Sequence, residues 1–302
     1  MFYLEHFGLS EPPFALTPDT SFLYLAPSYQ EALNVLLVSL RGGEGFVKVI
    51  GEVGTGKTLL CRELLDRLGN DWYTLYLPNP LLTPIDLYRA VAEELLLTPP
   101  QGTVQRSLLA DITEALLSLQ QQGAEVVLCI DEAQTLPDDS LEALRLLSNL
   151  ETGKRKLMQI VLFAQPELDS RLAQAQLRQL RQRIAFGCYL QPLTRVEHDT
   201  YLAHRLQVAG AKAEIFTAGA LDILYRGSRG NQRLVNILAH KALLASFGKG
   251  LPGVGRLQAL AAVQDTEEVQ GMGLVRPTSP WVLGGLLLGG LLLGFLLAGG
   301  VR

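Results

Sequence analysis

Residues 51–58 read GEVGTGKT, a complete G-x-x-x-x-G-K-[ST] loop, and no other feature limits the fold of this chain as tightly. Gly51, Gly54 and Gly56 allow a tight turn whose backbone N–H groups converge on an anion. Lys57 offers a cation to the β- and γ-phosphates of a nucleotide, and Thr58 offers a hydroxyl to Mg²⁺. Glu52, Val53, Thr55 and Leu59 complete the stretch that would wrap the phosphates. The flanks fit. FVKVI (46–50) is a short apolar, β-branched run that reads as a buried strand. TLLCRELLDRLG (58–69) carries apolar residues at 59, 60, 64, 65 and 68, a helical period with Gly69 as its stop. The loop therefore joins a strand to a helix N-terminus, where free amides and the helix dipole favour an anion.

A second motif completes a site of this kind. Residues 125–132 read EVVLCIDE, an apolar run that ends in two acids. A buried strand of this form carries Asp131 to its C-terminal edge, beside the phosphate loop, where it can hold the Mg²⁺ shell. Glu132 is then free to orient and deprotonate a water, work that Asp131 cannot do while it serves the metal. Thr58 and Asp131 are thus the expected metal residues, and ATP with Mg²⁺ the expected cofactors.

The rest of the chain alternates in type. Helical periods are expected over 29–40, 84–97, 103–120, 139–149 (capped by its first aspartate) and 169–182, and strands over 72–77, 157–164 and 184–190. After Pro192 the strand signals stop, and helical runs cover 194–209, 217–226, 231–247 and 257–269. This predicts an α/β P-loop fold: a parallel sheet with covering helices, then a small all-α lid. The expected divisions are an N-terminal segment (1–45), a core (46–192), a lid (193–270), a linker (271–280) and an apolar run (281–301). Twenty-six basic and 30 acidic residues give a formal charge of -4, with no global electrostatic pull toward nucleic acid. Three cysteines without metal spacing and four scattered histidines suggest a reduced interior and no zinc site.

Residues 281–301, WVLGGLLLGGLLLGFLLAGGV, are 21 residues without a charge. As a helix they would extend about 31 Å, enough to cross a bilayer core. Trp281 suits an interface, and the glycines form two small-xxx-small patterns that permit close helix contact. The N-terminus has neither the basic region nor the apolar core of a signal peptide. A single-pass anchor in the inner membrane, with the nucleotide domain in the cytoplasm, is the expectation.

FGLSEPPFALTPDTSFLYL, GEVGTGKTLLCRELL, LCIDEAQ, LRLLSNLET, LFAQPELD, LRQLRQRI and GNQRLVN, in that order, resemble the AAA+ ATPases of the ExeA/GspA and MshM type, over about residues 5–270. A weaker likeness extends to the TnsC/TniB transposition ATPases. The resemblance implies ATP hydrolysis, an ATP-dependent homo-oligomer, and partners in type II secretion or in assembly of a mannose-sensitive haemagglutinin pilus. Because ExeA-type proteins continue past their membrane helix, the end of this sequence at Arg302 favours the MshM-like form. The resemblance also implies roles for four polar residues. Gln165 takes the sensor-1 position, with Asn149 as a fallback. Arg183 takes the position of an arginine that reaches a neighbour's nucleotide, with Arg178 and Arg181 as competitors. Arg233 takes the sensor-2 position in the lid. Three other readings are a DNA-associated transposition regulator, a nucleotide-gated scaffold with little turnover, and a mechanical remodeller of membrane-bound clients.

Overall fold

The computed structural model describes residues 3–17, 19–78, 80–97, 105–153 and 155–270. Its elements run α1 (Leu4–Phe7), α2 (Pro27–Arg41), β1 (Phe46–Ile50), α3 (Lys57–Leu68), β2 (Trp72–Leu77), α4 (Pro84–Glu94), α5 (Gln105–Gln121) and β3 (Glu125–Ile130). They continue with α6 (Asp138–Leu147), β4 (Gln159–Ala164), α7 (Glu167–Leu172), α8 (Arg178–Arg183), β5 (Phe186–Tyr189), α9 (Arg195–Val208), α10 (Ala218–Ser228), α11 (Gln232–Phe247), α12 (Arg256–Gln264) and α13 (Glu267–Gln270).

The five strands form one parallel sheet in the order β2-β3-β4-β1-β5. Parallel strands need crossovers, and the helices that make them cover both faces, so β3 and β4 are almost continuously apolar. Alternate strand residues enter two cores. Val47, Val49, Val161 and Phe163 face a cluster with α2, α3 and the lid. Phe46, Ile160 and Leu162 face a cluster with α4, α5 and α6. Leu60 and Leu64 fix α3 to the first cluster with no exposure, each burial being worth about 1.5–3 kcal/mol.

Two expectations need correction. The single helix over 169–182 is two helices, α7 and α8, separated by a 3-10 turn at Ala175–Leu177. Leu168 and Leu172 bury on one stripe, but Leu177 follows five residues later, out of step with a 3.6-residue turn. The break rotates Leu177 and Leu180 back onto the core. The helix expected to start on an aspartate cap instead starts behind Pro137, with Asp138 and Asp139 both in its first turn and no side-chain cap. There the two carboxylates still complement the positive end of the helix.

The lid consists of α9 to α13. Thr194 and Glu197 form a capping box on α9, while Thr217 and Asn231 cap α10 and α11. The N-terminal segment packs on this lid as well as on the core: the Tyr3 hydroxyl meets His240 Nδ1 at 3.0 Å, Ser10 N–H donates to Ala209 O at 2.8 Å, and Phe14 lies edge-on to Phe216. The three cysteines are buried and unpaired. Among the described residues no helix is long and apolar enough to cross a membrane. The run at 281–301 lies outside them.

Candidate active site

β1 delivers the loop. Gly51 N–H donates to Ala164 O at 3.1 Å, which ties the start of the loop to the end of β4. The Thr55 hydroxyl donates to Glu52 O at 2.8 Å and closes the turn internally. Gly54 and Gly56 have φ of 80° and 85°, in the left-handed region that favours glycine. Lys57 opens α3, and its ammonium donates to Gly51 O at 2.8 Å and Glu52 O at 3.1 Å. Burial lowers the pKa of this ammonium, against the opposing charges of Glu132, Asp131 and Glu52.

β3 brings the acids to the same sheet edge. Asp131 is 2% exposed, and its Oδ2 accepts from the Thr58 hydroxyl at 2.5 Å. Its Oδ1 accepts from Glu132 N–H at 2.9 Å. Burial raises the Asp131 pKa, and the bonds from Thr58 and Glu132 only partly offset this. Glu132 has φ 51° and ψ 35°. A left-handed conformation costs a residue with a Cβ about 1–2 kcal/mol. It is held by its neighbours: Gln134 Nε2 donates to Glu132 Oε2 at 2.5 Å, and Gln165 Nε2 donates to the same oxygen at 3.0 Å. Gln134 Oε1 in turn accepts from Gln165 N–H at 3.0 Å. Two carboxamides from different loops thus fix one carboxylate oxygen.

The other expected residues divide. Arg233 lies over the loop, its N–H donating to Gly54 O at 3.1 Å and its guanidinium 3.8 Å from Glu268. Asn149 is remote: it follows α6 and precedes β4, at the sheet edge away from the loop, so it takes no part in the Glu132 cluster. Arg178, Arg181 and Arg183 are exposed along α8. Ala185 N–H donates to Phe46 O at 2.9 Å, which puts Arg183 near the start of β1 and at the far edge from Lys57.

A cleft of about 450 Å³ opens over the loop, lined on one side by Val53, Lys57, Thr58, Leu59 and Glu132. Apart from Arg233, its other walls were not legible in the sequence. Ala15, Leu16 and Thr17 of the N-terminal segment form one, and Tyr201, Arg205 and Asn236 of the lid another. Arg205 is buried, donates to Pro13 O at 2.5 Å and to the Tyr201 hydroxyl at 3.1 Å, and stacks 4.9 Å above the Phe22 ring. It joins two segments 192 residues apart. Nothing local distinguishes such an arginine from a solvated one on a polar helix face.

Comparison with known proteins agrees with this architecture. The AAA domain family matches residues 40–172. General secretion pathway protein A of Aeromonas hydrophila is 44% identical over 248 residues, 82% of this chain, and the chain spans 45% of that relative's length. The Aeropyrum pernix ORC2 protein superposes with a TM-score of 0.62 at 18% identity, covering 83% of this chain and 72% of that one. Cdc6p of Pyrobaculum aerophilum gives 0.62 at 18% identity, over 78% and 68%. The Thermotoga maritima RuvB branch migration motor gives 0.53 at 16% identity, over 78% and 67%. These solved structures share the fold. With a P-loop, an acid-tipped strand and a helical lid in this order, residues 40–172 carry the AAA domain, and the chain is similar to general secretion pathway protein A over 82% of its length.

Proposed function

We propose that the chain binds ATP with Mg²⁺ and hydrolyses it. The observation that carries this is the junction of Thr58, Asp131 and Glu132: a hydroxyl and a carboxylate joined at 2.5 Å beside a second carboxylate held by Gln165 and Gln134. Thr58 and Asp131 are the residues that would hold the metal. Hard oxygen donors suit Mg²⁺, which commonly takes only one or two carboxylates and draws its other ligands from phosphate and water. The fit therefore holds although the described residues contain no cluster of three or more metal-binding side chains. When bound, the ion neutralises charge on the phosphate oxygens.

The chain's own groups do the remainder. The loop amides and Lys57 offset phosphate charge. Glu132 accepts a proton from the attacking water, with its carboxylate aimed by Gln165 and Gln134. Arg233 brings a cation from the lid. Arg183 lies at the far end of β1 from its own loop and serves a neighbouring copy, so turnover requires an oligomer. Residues 281–301 anchor the protein in the inner membrane with its ATPase domain in the cytoplasm, and its partners belong to a secretion or pilus assembly. The likeness to general secretion pathway protein A supports this last reading.

The test is Mg²⁺-dependent phosphate release by the chain and by Lys57→Ala. Release by the first, and neither nucleotide binding nor release by the second, is expected. Equal release by both would refute the assignment.

A further inference from the structure

We propose that Asn231 is a positioning residue that couples the lid to the phosphate loop, so that nucleotide in the loop and the seating of the lid favour one another. This rests on the reading of the loop as a nucleotide site. One carboxamide makes both connections. Its Oδ1 accepts from Leu234 N–H at 3.2 Å and caps α11. Its Nδ2 donates to Val53 O at 2.7 Å, across 178 residues of sequence. The same side chain that starts the lid helix therefore grips a carbonyl of the loop.

Three further contacts make the grip specific. Arg233 N–H donates to Gly54 O at 3.1 Å, so two consecutive loop carbonyls are held by the first residues of α11. The approach leaves no space: a Cβ on Gly54 would lie 2.6 Å from Arg233 Cβ and 2.7 Å from Asn231 Oδ1. Behind Asn231, Leu193 N–H donates to Gly230 O at 2.9 Å, which anchors the tripeptide to the junction of core and lid.

The mechanical consequence follows from peptide geometry. In a trans peptide the C=O and N–H point in opposite directions. Holding the Val53 carbonyl toward the lid therefore turns Gly54 N–H away from the lid. A lid seated this way selects one loop conformation. If nucleotide prefers that conformation, linkage requires that nucleotide also prefers the seated lid.

Capping and gripping are separable by substitution. Asn231→Ser and Asn231→Asp keep an oxygen able to cap α11 and lose the amide that grips Val53. Asn231→Ala loses both. The full 302-residue chain, purified in detergent, is compared for thermal unfolding, ADP and ATP affinity, steady-state rate, and amide hydrogen exchange over residues 231–236 with and without ADP. For Ser and Asp we expect unfolding within about 2 °C of wild type, because a cap oxygen remains. We expect nucleotide affinity weakened about 2- to 10-fold, the value of one neutral hydrogen bond, with KM raised and kcat within about 2-fold. ADP should slow exchange at the start of α11 in wild type and much less in Asn231→Ser. Serine and aspartate variants that bind nucleotide as wild type does, with the same exchange response, would overturn the coupling. So would an affinity loss confined to Asn231→Ala, which would mark the residue as a helix cap alone. A wild-type chain that binds no nucleotide overturns the nucleotide-site reading, and the coupling with it.

Discussion

Gly230, between α10 and α11 of the lid, packs against Leu193 at the core–lid junction where nothing larger fits, and its replacement by alanine should be costly for two separate reasons. Its φ of 78° lies in the left-handed region, which costs a residue with a Cβ about 1–2 kcal/mol. An added Cβ would also stand 2.0 Å from Leu193 O and 2.9 Å from Leu193 N and C. These are backbone atoms, so no side-chain rotation relieves the clash, and overpacking of this kind costs about 1–3 kcal/mol more. Gly123 separates the two terms. Its φ is 85°, yet an added Cβ there meets nothing within 4 Å. Gly123→Ala should therefore lose only the conformational part. At about 2–4 °C per kcal/mol for a chain of this size, Gly123→Ala, losing about 1–2 kcal/mol, should lower the melting temperature by about 2–8 °C. Gly230→Ala, losing about 2–5 kcal/mol, should lower it by about 4–20 °C. The second variant should also bind ATP more weakly, because moving Gly230 carries Asn231 and Arg233 off the loop. Differential scanning fluorimetry and a fluorescent-nucleotide titration make the comparison. Equal melting shifts, or an unchanged ATP affinity in Gly230→Ala, would refute the reasoning.

Other consequences concern the acids, the neighbouring copy and the membrane. Burial raises the folded-state pKa of Asp131, so the folded chain binds that proton more tightly than the unfolded chain, and this residue's contribution to stability falls as pH rises above the unfolded carboxylate value. Metal-free Asp131→Asn should therefore melt at or above the wild-type temperature at pH 7.5, with the gap closing toward pH 4, while its Mg²⁺-dependent ATPase is lost; a lower melting temperature at pH 7.5 contradicts this. Arg183→Ala should lower turnover with single-subunit ATP affinity nearly intact, and mixing it with Lys57→Ala should restore part of the rate; an unimpaired Arg183→Ala moves attention to Arg181 and Arg178. In a bacterial membrane preparation the chain should resist carbonate extraction through residues 281–301, and release into the supernatant would show that the run is no anchor.

The parts of the fold that were legible share one physical property: they are local. The P-loop is eight consecutive residues between a strand and a helix, and the acid pair ends a strand whose apolar run announces its burial. β1 and β3 fall where periodicity and turn residues put them, because neighbours on both faces bury almost the whole strand, and β2 does so too although it is a half-exposed edge strand. The α7–α8 break was hidden because a helical period looks the same until the five-residue step from Leu172 to Leu177 is set against a core. The cleft walls were hidden for a different reason. Ala15 to Thr17, Arg205 and Asn231 act through contacts that span most of the chain, and their local sequence is that of a loop, a polar helix face and a helix cap. Gln134 is an intermediate case. It sits two residues from Glu132, but its role as a bridge to Gln165 depends on the register of β3 beside β4.

The central claim is that Glu132 is the proton acceptor for water in a site that binds nucleotide by other means. Glu132→Gln tests it most directly, because the substitution keeps the shape of the side chain and removes the charge. The measurement is single-turnover hydrolysis of radiolabelled ATP, with bound nucleotide determined on the same samples. ATP affinity within about 3-fold of wild type is expected, together with a hydrolysis rate reduced about 10²- to 10⁴-fold, the span usual for loss of a positioned acid or base. A Glu132→Gln variant that hydrolyses bound ATP at the wild-type rate would contradict the account.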